Sequence, residues 1–160
     1  MQLVSGQKIA LNQVIQNDQK FTLRVQFKAA FDVDISSFGI GQNDQIFHDD
    51  YMTFYNQPQT PHCEVQYRQQ ENLNLFTFDL SKINATQTPR FVICATVAND
   101  QATMQNIQSG QISLVNQQGE VLANYQLNPS NFSQEKAVML TEIYFKNDLW
   151  RIAAIGQGFN

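Results

Sequence analysis

Apolar side chains recur at every second position along much of this chain. Phe21, Leu23, Val25 and Phe27 alternate with polar residues, which is typical of a half-buried antiparallel strand. Further segments show a strand pattern: residues 76–80, 91–97, 112–114, 121–127, 137–145 and 149–155. We expect about eight to ten short strands, and therefore an all-β chain folded as an antiparallel β-sandwich with little helix.

The segments between these runs carry turn signals. Lys146-Asn147-Asp148 separates two apolar runs and predicts a hairpin. Residues 98–108 lack strand character and predict a short helix or an irregular loop. Because Pro58 cannot donate to a sheet ladder, a strand through residues 54–56 should end near Gln57. The segment that follows, residues 58–72, is predicted to be mostly irregular.

One of the strand patterns, in residues 31–38, also carries chemistry. Phe31, Val33 and Ile35 fall on one face, whereas Asp32 and Asp34 fall on the other. Two carboxylates at that spacing lie about 7 Å apart along the strand. They repel each other unless a cation, hydrogen-bond donors or water screens them. The pair is therefore either part of a cation site or a solvated strand face.

Composition narrows the range of partners. The 160 residues fit one domain covering positions 1–160, with 42% hydrophobic and only 15% charged residues. Amides take the place of charges, with 23 Gln and 15 Asn. The net charge is −4 and the basic residues are scattered along the sequence. This argues against a nucleic-acid-binding groove and against strong attraction to an anionic membrane surface.

Targeting signals and cysteines add two expectations. The first residues show no secretion signal, and no run of about 18 apolar residues is present, so we expect a soluble, cytoplasmic protein without an integral membrane segment. Two cysteines are too few for a zinc or redox motif. Cys94 lies in an apolar strand and should be a buried, inert thiol. Cys63 lies in the irregular segment, where its thiol could be exposed.

Several short motifs, taken in order, resemble the tellurium-resistance (TerD-type) domain of bacteria. They cover nearly all of the chain: G-Q-K at 6–8, D-V-D-I-S-S-F at 32–38, F-Y-N-Q at 54–57, F-D-L-S-K-I at 78–83, N-Y-Q-L at 124–127 and G-Q-G at 156–158. The resemblance implies a β-sandwich involved in tellurite and stress resistance, often calcium-binding and without established catalytic activity.

The resemblance also implies positions for a calcium site. Besides Asp32 and Asp34, the matching segments contain Asn56, Glu71 and Asp100. The family's calcium loop is glycine-rich and acidic, whereas residues 67–72 here contain no glycine, one acid and an arginine. Calcium takes six to eight oxygen ligands, commonly including several carboxylates. We therefore expect calcium binding that is weak or lost.

Other candidate chemistry is less specific. His48-Asp49-Asp50 offers at most two ligands on one strand face, and a solvated loop or strand end is the simpler interpretation. His62-Cys63-Glu64 contains transition-metal ligands without partners at a recognisable spacing. The chain has no G-x-S-x-G elbow, and its two G-x-G pieces lie outside a strand-to-helix context. No catalytic or cofactor-binding residue is predicted.

Together these observations predict a non-enzymatic stress-response module that acts by binding protein partners, including other proteins of the same resistance system. A calcium-dependent module that docks to membranes or glycans is the alternative, by analogy of architecture. A hydrolase ranks third. The sequence does not fix the oligomeric state.

Overall fold

The computed structural model describes residues 1–16 and 18–159, and these residues are built almost entirely from strands. Three-residue 3₁₀ turns connect some of the strands, and the described part contains no helix of seven or more residues. The twelve strands are β1 (Gln2–Leu3), β2 (Lys8–Ala10), β3 (Lys20–Lys28), β4 (Val33–Ile40), β5 (Met52–Thr53), β6 (Val65–Gln70), β7 (Leu73–Asp79), β8 (Arg90–Val97), β9 (Ser109–Val115), β10 (Val121–Leu127), β11 (Ala137–Lys146) and β12 (Leu149–Phe159).

The strands form two six-stranded sheets. Sheet A has the order β1-β10-β9-β3-β7-β6, and sheet B has the order β2-β12-β11-β8-β4-β5. Neighbouring strands are antiparallel except for β1 and β10, which pair in parallel. The predicted antiparallel β-sandwich is confirmed. Among the described residues, no helix has the length and apolar character needed to cross a membrane.

Aromatic side chains join the two sheets at the centre of the core. Phe21 of β3 stacks on Phe78 of β7, with ring centroids 5.4 Å apart. Phe78 in turn meets the ring of Phe91 on β8 edge-on at 5.8 Å. All three rings are fully buried, so this cluster contributes several kcal/mol of apolar burial.

The predicted hairpin between β11 and β12 is confirmed. Lys146 pairs with Leu149, so Asn147 and Asp148 form a two-residue turn. Both turn residues have positive φ, 54° and 61°. Asn and Asp tolerate this conformation because their short polar side chains interact with the local backbone.

Two predictions about the middle of the chain were right only in part. Residues 58–64 and 71–72 lie outside any strand, as predicted, but residues 65–70 form a regular strand, β6, which pairs with β7 along its whole length. Its apolar pattern is weak because β6 is an edge strand with polar side chains at most positions. Residues 54–56 are not a strand. They enter a tight turn in which Phe54 and Gln57 exchange backbone hydrogen bonds, and the strand β5 lies just before it.

The first ten residues are divided between the sheets. β1 lies at the edge of sheet A beside β10, with Gln2 opposite Asn124. β2 lies at the edge of sheet B beside β12, with Ile9 opposite Ile152. Gly6, between the two strands, donates its N–H to the Ala154 carbonyl at 2.7 Å. This segment therefore closes one side of the sandwich.

Candidate functional site

The two carboxylates singled out by the sequence lie at the start of β4. Asp32 immediately precedes the strand and Asp34 is its second residue, and both are exposed. Ile35 is buried in the core on the opposite face. The predicted division of this strand into an apolar and an acidic face is confirmed. In the register, Asp34 stands opposite Thr96 of β8.

Most of the predicted calcium ligands lie at one end of the sandwich. Three connections lie at this end: residues 29–32, 71–72 and 98–108. In sheet A, the end of β3 lies beside the starts of β9 and β7, because Lys28 pairs with Ser109 and Gln26 pairs with Leu73. In sheet B, the start of β4 lies beside the end of β8, because Val33 pairs with Val97. We call it the loop end. Asp32, Glu71 and Asp100 lie in these connections and are exposed. Asn56 lies in a different connection, the turn that follows β5 beside β4.

The geometry of the β6–β7 connection limits any cation site. Gln70 pairs with Leu73, so only Glu71 and Asn72 form the turn, and Glu71 has a φ of 56°. Among the described residues, no three His, Cys, Asp or Glu side chains are grouped closely enough to hold a metal. Calcium needs six to eight oxygens, and these residues do not fit that requirement as a preformed cage. Weak or lost calcium binding stays a prediction.

The negative charge of Asp34, on sheet B, acts electrostatically on Tyr67 of sheet A. Burial of the Tyr67 ring raises the pKa of its hydroxyl, and the negative charge of Asp34 raises this pKa further. The hydroxyl donates a hydrogen bond of 2.6 Å to Asn74 Oδ1. Neutral Tyr67 is therefore the stable form beside Asp34, and it does not offer a phenolate ligand to a cation.

A pair of substitutions tests whether Asp32 and Asp34 hold a cation. Without calcium, Asp32→Asn and Asp34→Asn should change the free energy of unfolding by less than about 0.5 kcal/mol, because both side chains are exposed. Thermal unfolding in chelator and in millimolar calcium measures both states. Calcium should raise the melting temperature of the unmodified chain little, and that of Asp34→Asn less. Clear stabilisation by micromolar calcium would contradict the prediction of weak binding.

The His48-Asp49-Asp50 cluster is used in local structure. His48 precedes the 3₁₀ turn Asp49–Tyr51, and its Nδ1 accepts the N–H of Asp50 at 3.1 Å. The Asp50 carboxylate lies 3.5 Å from the same nitrogen, and both side chains are more than half exposed. The exposed capping geometry agrees with the interpretation of this cluster as a solvated loop.

A buried carboxylate that the sequence did not reveal lies nearby. Glu64 is only 2% exposed. Its two oxygens accept hydrogen bonds of 2.7 Å from the Tyr51 hydroxyl and from the His62 N–H. Burial alone raises the pKa of Glu64, but the hydrogen bonds from Tyr51, backbone N–H groups and Thr60 outweigh it, and the net shift is downward. Burial and Glu64 raise the pKa of Tyr51 to about 12.

This pair holds the side of the sandwich together. Tyr51 belongs to the 3₁₀ turn before β5 in sheet B, whereas Glu64 directly precedes β6 in sheet A. No sequence motif indicates this hydrogen bond, because Tyr51 and Glu64 are 13 positions apart. Tyrosine and glutamate also occur at many positions where they do not pair. The carboxylate is ionised and satisfied by donors, so it acts as a structural link.

The two cysteines differ in burial. Cys94 is buried, as predicted, and burial raises the pKa of its thiol to about 11. Cys63 is partly buried, with a φ of 59° in the turn before β6.

Exposed apolar side chains line the β5 edge of sheet B. The backbone of residues 46–47 runs beside the end of β4, where Ile46 bridges Ile40 and the Phe47 N–H bonds to Gly39. β5 continues along the same side of β4 and leads into Tyr55. Ile46, Phe47 and Tyr55 are 47%, 41% and 66% exposed. We call these three residues the β5-edge surface. A row of this kind is typical of protein-binding surfaces.

Comparisons with known proteins agree on one family. The family model described as TerD domain matches residues 1–160. The tellurium resistance protein TerA of an Alcaligenes species is 28% identical over 114 residues, which make up 68% of this chain and 31% of that protein. The chain therefore spans only about a third of the length of this relative.

Two crystal structures share the fold. The protein of unknown function SAV2460 superposes with a TM-score of 0.68 at 14% identity, covering 90% of this chain and 91% of that one. SCO6318 from Streptomyces coelicolor A3(2), described as a homologue of the telluride resistance protein TerD, gives a TM-score of 0.66 at 11% identity, covering 90% and 92%. At these identities the likeness concerns the architecture alone.

Proposed function

The chain belongs to the TerD domain family, and on that premise we propose that it is a non-enzymatic module of tellurite and chemical-stress resistance that acts by binding a protein partner. The name of its relative TerA supports the association with tellurium resistance. The observation that carries the mode of action is the β5-edge surface. Partners from the same resistance system are the first candidates.

The side chains of this surface suit protein binding. Tyr55 meets Phe54 edge-on at 5.4 Å, and Phe47 meets Tyr51 edge-on at 5.2 Å, so each exposed ring is held against an aromatic neighbour. Rigid aromatic rings lose little conformational entropy on binding and contribute a large apolar area. β5 itself has only two residues, so we expect side chains rather than a long backbone ladder to provide the contact.

Non-enzymatic action and weak calcium binding are parts of the same proposal. The high pKa of Cys94 and the capping role of His48 make these two residues poor catalytic candidates. The calcium-dependent docking alternative would need a ligated cation beside exposed aromatics, and the carboxylates described at the loop end are not grouped for that.

The proposal predicts that the β5-edge surface is needed for resistance. Ile46→Ser combined with Tyr55→Ser should reduce survival of tellurite-treated cells to the level of a strain lacking the gene, because the partner contact is lost. The control, Val121→Ser with Leu149→Ser, removes two exposed apolar side chains elsewhere, 45% and 37% exposed, and should keep full survival. Melting temperatures of both purified variants should stay near that of the parent chain. If the two double variants survive equally well, the partner-binding surface is not the β5-edge surface.

A further inference from the structure

A groove on the outer face of sheet A, away from the β5-edge surface, gathers positive charge. It has a volume of about 390 Å³ and lies across β3, β7 and β6. Lys20, Arg24 and Arg68 line it together with Leu75, Thr77 and Gln117. The basic residues are scattered in the sequence, and the strand register brings these three to one face.

The register fixes how the two arginines face each other. Leu75 of β7 pairs with Arg24 of β3 on one side and with Arg68 of β6 on the other. Directly paired residues share a sheet face, so the two arginine backbones lie about 10 Å apart across Leu75. Lys20 lies four residues before Arg24 on the same face of β3, about 13 Å along the strand.

No carboxylate neutralises these cations among the described residues. The ion pairs there involve Lys82 with Asp79, and Arg90 with Asp44 and Glu142. From the acidic groups of residues 1–16 and 18–159, no oxygen comes within 4.0 Å of the charged nitrogens of Lys20, Arg24 or Arg68.

Four acids stand near the groove. Glu71 and Glu120 adjoin the lining residues Gln70 and Gly119 in the sequence, whereas Asp18 and Asp79 have other partners. Asp18 accepts hydrogen bonds of 2.8 and 3.0 Å from the Gln117 amide. Asp79, opposite Lys20 in the register, accepts from the Ser81 hydroxyl and N–H. In a chain with net charge −4, three unneutralised cations around one groove repel one another.

The floor and walls of the groove suit an oxyanion. The Thr22 and Thr77 hydroxyls lie 3.1 Å apart among its lining residues, and Leu75 stands between the two arginines in the register. Guanidinium groups bind carboxylate and phosphate oxygens through paired N–H donors. We propose that this groove binds a small phosphate-bearing anion, held between Arg24 and Arg68 and attracted by Lys20.

The groove favours a small molecule over a nucleic acid. Three cations around one cavity provide too few contacts to follow a phosphate backbone, and the aromatic Phe21 that lines the groove is buried in the core, so it offers no platform for stacking bases. This proposal does not depend on partner binding or on tellurite resistance, since it concerns a different face of the molecule.

The test is titration of the chain with inorganic pyrophosphate at low ionic strength, followed by calorimetry and by amide chemical shifts. We expect saturable binding with shifts concentrated on β3, β6 and β7. Arg24→Gln and Arg68→Gln should each weaken it by about tenfold, since each removes a charge-assisted contact. Lys146→Gln is the matched control, because it removes one exposed positive charge from the β11–β12 hairpin of sheet B and should change affinity less than about twofold.

Folding is checked separately. Without pyrophosphate, Arg68→Gln should melt at the temperature of the parent chain or slightly higher, because a repulsive charge is removed. Three results would overturn the proposal. The first is the absence of saturable pyrophosphate binding, and the second is a weakening by Lys146→Gln as large as that caused by the arginine substitutions. The third is binding of a single-stranded oligonucleotide without binding of pyrophosphate.

Discussion

Replacing Gly156 by alanine should lower the free energy of unfolding by about 3 kcal/mol. Gly156 has a φ of +66°, a conformation that costs an L-residue about 1–2 kcal/mol. A Cβ at this position would also overlap the hydroxyl of Tyr125 on the facing sheet and lie 3.3 Å from Leu127 Cδ2. Chemical denaturation of the purified variant measures the loss.

Two further variants separate the causes of this loss. Gly119 also has a positive φ, +87°, but a Cβ there meets nothing within 4 Å, so Gly119→Ala should show the backbone cost alone. Tyr125→Phe removes the overlapping hydroxyl, so adding it to Gly156→Ala should recover part of the stability. If Gly156→Ala costs no more than Gly119→Ala, close packing against Tyr125 does not explain this glycine.

Tyr51→Phe should destabilise the chain by about 1–3 kcal/mol at neutral pH, the second largest expected effect. The substitution leaves the buried Glu64 carboxylate without one of its donors, while the ring and its packing against Phe47 remain. Loss of this donor raises the pKa of Glu64, since burial continues to disfavour its charged form.

The pH dependence of this effect has a defined sign. The pKa of Glu64 is lowered on folding, so its ionisation contributes stability above the unfolded pKa of about 4.3. That contribution is lost as the pH falls through the lower folded value. The stability difference between parent and Tyr51→Phe should therefore be largest near neutral pH and shrink below about pH 4. Urea unfolding at several pH values checks this, and an equal difference at all pH values would contradict the role of the carboxylate.

The Glu64→Gln variant provides the control for this interaction. In its background, adding Tyr51→Phe should cost less than it does in the parent chain, because the charge-assisted hydrogen bond is already gone. Equal costs in the two backgrounds would mean that Tyr51 acts through its packing instead.

The parts of the fold that the sequence predicted are those with local signals. The period-two runs predicted the strands that line the core, such as β3, and the acidic face of β4 followed from two residues one strand repeat apart. The β11–β12 hairpin followed from Asn147 and Asp148, whose chemistry suits a tight turn. In each case the information lies within about ten consecutive residues.

The parts that escaped depend on contacts between distant segments. β6 has little apolar periodicity because it is the last strand of sheet A and one of its faces is solvated, so its sequence resembles a loop. The Tyr51–Glu64 hydrogen bond requires the turn before β5 to reach the start of β6. The groove of sheet A requires three strands to align Arg24, Leu75 and Arg68 in one row. The calcium ligands Asp32, Asp34, Asn56, Glu71 and Asp100 remain predictions that a titration has to test.

The division of the first ten residues between the two sheets has a consequence for synthesis. β1 and β2 leave the ribosome before every other strand described here, yet their neighbours β10 and β12 are among the last to be made. During translation these early residues have no edge to join, whereas β3, β7 and β9 already assemble the middle of sheet A. Closure of this side is therefore a late step that awaits β10 and β12. Pulse-labelled hydrogen exchange during refolding should find the amides of β1 and β2 protected after those of β3.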